Sequence, residues 1–216
     1  MRRFIIFDKY NTWYDWRLTL TAKDVTPPEP KTNYVDLDGM HGSLDLSEAL
    51  TGEVAYGDRT LAASFWSSEG TFVERLALIK TITAALHGKK VRIVEPDDPE
   101  HYFLGRVRIT SQAHDQVHTE FSVEAICDPW RYALNETRRV VDVDGAVDVV
   151  INNGGVKTLS PSVTVSGTVT LTMGGQTATL TTGTYKVSNL KLRQGVNVVG
   201  LSGSGTVTFT YREATL

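Results

Sequence analysis

Hydrophobic and polar positions change rhythm twice along this chain. Between residues 72 and 86 apolar side chains recur at helical spacing, with Phe72, Leu76, Ile79, Thr83 and Leu86 on one stripe. Thr71 and Glu74 ahead of it have the spacing of a capping box, and His87-Gly88 supplies a stop. No other stretch reads as a helix. Before and after it the period is two, which predicts strands over 3–7, 18–22, 59–66, 89–94, 101–109 and 118–126. Beyond residue 133 helical spacing disappears. Val163/Val165, Val169/Leu171/Met173, Ala178/Leu180 and Val207/Phe209/Tyr211 alternate with threonine, serine and glycine. Gly174-Gly175 predicts a two-residue hairpin turn, and Gly203-Ser204-Gly205 a further turn. The expected fold is mainly β. An α+β domain, a β-sandwich with one helix, spans 1–132, and an all-β sandwich spans 133–216.

The stretch from Lys31 to Trp66 stands apart. Gly39 and Gly42 bracket a tight turn between two short alternating runs, and Gly52 and Gly57 punctuate the polar loop that follows. Glycines this close together indicate backbone that needs positive φ or a close approach, so these four are expected to shape a frame. Upstream, Tyr10, Trp13, Tyr14 and Trp16 crowd one loop. Such a loop either folds back onto its own core or offers Trp13, Tyr14 and Trp16 to a partner. Pro27, Pro28 and Pro30 then keep the chain extended.

Composition narrows the class. The 216 residues are 41% hydrophobic and 22% charged, ordinary for a folded domain or two. The formal charge of −3 is too small to argue for nucleic acid or an anionic membrane as partner, and no apolar run is long enough to span a bilayer. Charge is uneven: residues 1–132 carry 15 basic and 20 acidic side chains, residues 133–216 seven and five. Four apolar residues after Met1-Arg2-Arg3 are too few for a secretion signal, and a single cysteine, Cys127, excludes an intrachain disulfide.

Candidate chemistry is sparse. His114 and His118 have zinc-protease spacing, but they lack the intervening glutamate and sit outside any helix. Asp142, Asp144 and Asp148 suggest a calcium loop without its terminal glutamate, and a turn at the domain junction is the simpler reading. Asp97, Asp98 and Glu100 belong to a proline-bounded solvated turn. Cys127 has no base beside it and reads as an inert buried thiol. With no phosphate-binding glycine loop and no nucleophile elbow, the chain reads as a non-enzyme that needs no metal or cofactor.

The order of several segments resembles the distal tail (Dit) proteins of long-tailed siphophages. Pro30-Lys-Thr-x-Tyr-Val-Asp36 is followed by Gly39-x-x-Gly-Ser-Leu-Asp-Leu-Ser47 and an aromatic strand. The helix, Lys89-Lys-Val-Arg-Ile93, Tyr102-Phe-Leu-Gly-Arg-Val107 and Cys127-Asp-Pro-Trp-Arg-Tyr132 then keep the family's order. In the second half, Asn152-Asn-Gly-Gly155, Ser160-Pro161, Gly195-Val-Asn197 and Gly203-Ser-Gly-x-Val-x-Phe-x-Tyr-Arg212 are similar to the family's galectin-like sandwich. The resemblance implies a structural virion protein at the distal tip of a phage or prophage tail. Its tube-like first domain would form a homo-hexameric ring between the tail tube protein and the tail-associated hub protein. The second domain would face outward toward receptor-binding or baseplate proteins. The alternative is a carbohydrate-binding module for host-surface adhesion, with Trp13 and Trp16 as stacking residues.

Overall fold

The computed structural model describes residues 4–216, apart from the His114 side chain. The backbone divides into two compact units, the first running to Trp130 and the second covering Arg131–Thr215, with Leu216 counted with the first.

In the first unit an antiparallel sheet is assembled from β1 (Ile6–Phe7), β2 (Tyr10–Asn11), β3 (Thr19–Val25), β6 (Arg59–Ser67), β7 (Lys90–Glu95), β8 (Asp98–His114) and β9 (Thr119–Ala133). Their spatial order is β2-β1-β7-β8-β9-β6-β3. Two further short strands, β4 (Tyr34–Val35) and β5 (Leu44–Asp45), pair only with each other. Alternation decides which side chains meet: Leu61, Ala63 and Phe65 of β6 lie opposite Ala125, Val123 and Phe121 of β9, all buried. Phe7, Ile93, Phe103 and Val107 complete this core, and helix α1 (Phe72–Leu86) packs into it. Residues 3–7 were expected to form one strand; β1 covers Ile6–Phe7, and Arg3 lies outside the described residues.

The helix begins as its capping box requires. Glu74 N–H donates to Thr71 Oγ1 at 3.3 Å and Thr71 N–H donates to Glu74 Oε2 at 2.7 Å, which holds the Glu74 carboxyl below its ordinary pKa. Its buried stripe is Arg75, Ile79, Ile82 and Leu86 rather than the one centred on Leu76 and Thr83. The charged member is the reason for the difference. Arg75 is buried because its guanidinium donates to the carbonyls of Gly70, Asp115 and Gln116, tying the helix start to the β8–β9 turn. A hydrophobicity pattern cannot register that residue.

The second unit is one curled sheet of β10 (Thr137–Asn153), β11 (Ser162–Met173), β12 (Gln176–Leu180), β13 (Gly183–Lys186) and β14 (Gly195–Tyr211), in the order β10-β14-β11-β12 with β13 also on β11. The final strand, β15 (Ala214–Thr215), pairs with Tyr132 and Arg131. Gly174 and Gly175 close the β11–β12 hairpin at φ 57° and 77°, the conformation that a two-residue turn demands. Two other expected turns are not turns. Gly203-Ser204-Gly205 lies inside β14, and Asp142 to Asp148 lies inside β10, whose 17 residues pair with β14 without a slip. Gly145 faces Gly203, and Gly167 faces Gly205. An added Cβ at Gly203 or Gly205 would stand closer than 3.0 Å to the Thr168 or Ser166 carbonyl oxygen. Lacking side chains there, three adjacent strands curl tightly enough for Val143, Val149, Val165, Val169, Leu201 and Val207 to share one core.

Buried asparagines close the ends of this unit. Asn153 is fully buried; its amide donates to the carbonyls of Lys157 and Leu192, and its Oδ1 accepts from Gly155 N–H. Asn197 accepts from Arg193 N–H at 2.9 Å and donates back to the Arg193 carbonyl at 2.8 Å. These two residues are structural pins with their hydrogen-bonding capacity turned inward.

Candidate functional site

Residues 31–56 leave the first unit as an arm. Its base is clamped by Lys31 N–H donating to the Ala55 carbonyl at 2.7 Å, Gly57 N–H donating to the Glu29 carbonyl at 2.8 Å, and a bridge between Pro30 and Tyr56. The Tyr56 ring stands edge-on to Trp130 at 5.6 Å. Within the arm Tyr34 lies opposite Asp45 and Val35 opposite Leu44. Leu46 N–H donates to the Asn33 carbonyl at 2.8 Å, and Ser43 Oγ donates to Asp36 Oδ1 at 2.6 Å. The Ser47 hydroxyl and amide both donate to Asp45 and hold its carboxyl below the ordinary range.

Gly39 and Gly42 adopt φ of 85° and 79°, in keeping with the expected glycine-shaped backbone. They sit in an eight-residue connection, 36–43, rather than in a tight turn. Gly52 also has positive φ, whereas Gly57 does not and its added Cβ would make only an ordinary contact at 3.6 Å. The frame expected of this stretch is therefore peripheral. It supports no core.

Every residue over 31–45 and 48–55 is exposed, including Tyr34, Val35, Leu37, Met40, Leu44, Leu50 and Val54. Leu50 is 100% exposed. A two-stranded hairpin is marginal in water on its own, and several large exposed apolar side chains on one short element point to an interaction site.

The aromatic loop behaves differently. Trp16 stacks on Tyr10 with ring centres 5.1 Å apart, Trp13 is buried under the Arg17 guanidinium at 5.7 Å, and only Tyr14 is exposed. Asn11 Oδ1 accepts from the amides of both Trp13 and Tyr14, which folds the loop inward. A sugar-stacking platform of Trp13 and Trp16 lacks the open ring faces it requires. In the second unit Phe209 and Tyr211 are buried and Tyr185 is half-buried.

The remaining chemical candidates resolve into structure. Cys127 sits mid-strand in β9 against Gly105, and burial pushes its thiol up to about 12. Lys23 bridges Glu95 and Asp97, pinning the acidic turn. Asp115 Oδ1 accepts from the amides of Val117 and His118 to form the β8–β9 turn, and the His114 side chain lies outside the described residues. No group of three or more His, Cys, Asp or Glu able to hold a metal ion occurs among the described residues. No helix among them is long and apolar enough to cross a membrane.

A curled antiparallel sheet with one capped helix and an external arm, followed by an all-β unit of bent strands, defines a mainly β, Dit-like fold. Among the solved structures it is similar to is SPP1 Dit, described as a paradigm of the hub adsorption apparatus in Gram-positive infecting phages. The likeness has a TM-score of 0.72 and covers 98% of this chain and 99% of that one, at 14% identity. No family model matches the sequence. No curated protein matches it either.

Proposed function

We propose that this chain is a structural distal-tail protein of a phage or prophage virion, forming a hexameric ring that joins the tail tube to the tip hub. The first unit supplies the ring, and the second anchors receptor-binding or baseplate components. The reading rests chiefly on the end-to-end likeness to SPP1 Dit, in which both units appear in one order with almost nothing left over in either chain. The arm supports it. A ring made by rotation needs a heterologous contact, in which one patch of a subunit meets a different patch of the next. An ordered, apolar, unpartnered hairpin is the kind of element that makes one.

Light scattering on the purified chain, with negative-stain images of the same fraction, tests this directly. Six copies around a central hole are expected. A closed assembly of another number, or an open fibre, overturns the hexameric ring.

A further inference from the structure

The arm is acidic as well as apolar. Residues 31–56 hold five carboxylates and one lysine, and its tip reads Asp36-Leu37-Asp38-Gly39-Met40, with acid and apolar side chains interleaved. The outer face of the first unit's sheet carries the complementary pattern. Between the helix end and β8–β9 lies an open depression of about 330 Å³ lined by His87, Val107, Arg106, Arg108, Glu124 and Ile126. Ile126 is 57% exposed although it sits in the middle of β9, between buried neighbours. Lys90 lies opposite Arg106 on the neighbouring strand and extends the basic rim. Glu124 pairs with Arg108 at 2.9 Å and Asp128 with Lys90 at 2.9 Å, so three cations meet two anions. Arg106 spends its guanidinium on the Gly88 carbonyl, which leaves its charge uncompensated.

We infer that the arm tip of one copy docks in this depression on a second copy of the chain. Leu37 and Met40 cover the exposed Ile126 side chain, and Asp36 and Asp38 face Arg106 and Arg108. The volume exceeds the ~200 Å³ of two aliphatic side chains, taking ~100 Å³ for each, and so admits both with part of the tip backbone. Opposite charge on tip and rim fixes which end of the arm enters, and steers the encounter. The two patches differ, so the contact is heterologous and propagates from copy to copy until rotation closes it. This rests on the ring reading above and names the surface that would make it.

Charge exchange tests it. An arm variant, Asp36→Lys with Asp38→Lys, and a groove variant, Arg106→Glu with Arg108→Glu, should each lower self-association at least tenfold. All four changes in one chain should restore it, because the signs are again opposite. The arm positions touch no core, so the arm variant stays informative even where the groove variant melts early. Wild-type assembly that survives the groove variant overturns the docking while leaving the ring reading intact, and frees the depression for a different protein. Loss in both variants without recovery in the combined chain overturns the pairing of these charges. A wild type that is monomeric at every concentration overturns a contact made by this chain alone, and co-expression with tube and hub proteins then decides the ring separately.

Discussion

At Gly39 and Gly42 an added Cβ would meet nothing within 4 Å, whereas at Gly205 it would fall closer than 3.0 Å to the Ser166 carbonyl oxygen. The same residue type serves two opposite needs. In the arm, glycine grants positive φ to a loop surrounded by solvent. In the curled sheet, glycine removes the atom that would hold two backbones apart. Substitution in the sheet must therefore damage the fold, and substitution in the arm must damage what the arm touches.

The largest expected effect follows from the sheet. Gly205→Val should cost the second unit ~3 kcal/mol or more, read as a lowered midpoint in chemical denaturation, since backbone cannot yield as a flexible side chain can. A loss below ~1 kcal/mol would show that the strands relax, and would break the contrast.

A second close approach, Gly105 against the Cys127 sulfur, gives a pH test. Burial raises the folded thiol from the usual 9.0 to about 12, so the folded protein keeps a proton that the unfolded chain releases. That stabilisation is complete below about pH 9 and is lost as pH rises toward about 12. Across those three units the loss should approach ~4 kcal/mol, about 3 of it by pH 11, at ~1.4 kcal/mol for each unit. Denaturation of wild type and Cys127→Ala at pH 8 and pH 11 isolates the thiol. Equal losses in both would assign the effect to other groups.

Thr71→Ala removes the helix cap and should cost ~1 kcal/mol in the same assay. It calibrates an ordinary local defect against the Gly205 position in the curled sheet. The smallest effect on stability belongs to the arm: Gly42→Val should cost less than ~1 kcal/mol, because no core depends on the exposed loop and it can relax out of the positive φ that valine resists. Ring formation by the same variant should nonetheless fail. Normal rings from both Gly39→Val and Gly42→Val would mean that the loop conformation is irrelevant to assembly.

Local chemistry was legible in the sequence. The helix, its capping box and the Gly174-Gly175 turn depend on residues a few positions apart, and they appear where spacing alone put them. The arm was legible as a peculiar stretch but not as an exposed one, since Tyr34, Leu37 and Leu44 look like strand residues with a core to face. Trp13 and Trp16 left two readings open, a loop folded onto its own core or a partner patch, and Asn11 and Arg17 turn them inward.

What the sequence determined by itself was therefore the alphabet of elements: one capped helix, many alternating strands, and a change of composition near residue 133. Short-range hydrogen bonds and side-chain period act within a few residues, so a linear reading captures them. Only the tertiary structure decided that Gly203 and Gly205 curl a strand instead of ending it, that Arg75 belongs inside, and that the 31–56 hairpin has no core of its own. Each of those outcomes depends on which distant backbone lies opposite, at Ser166, Gln116 or nowhere at all, and the order of residues along the chain does not carry that information.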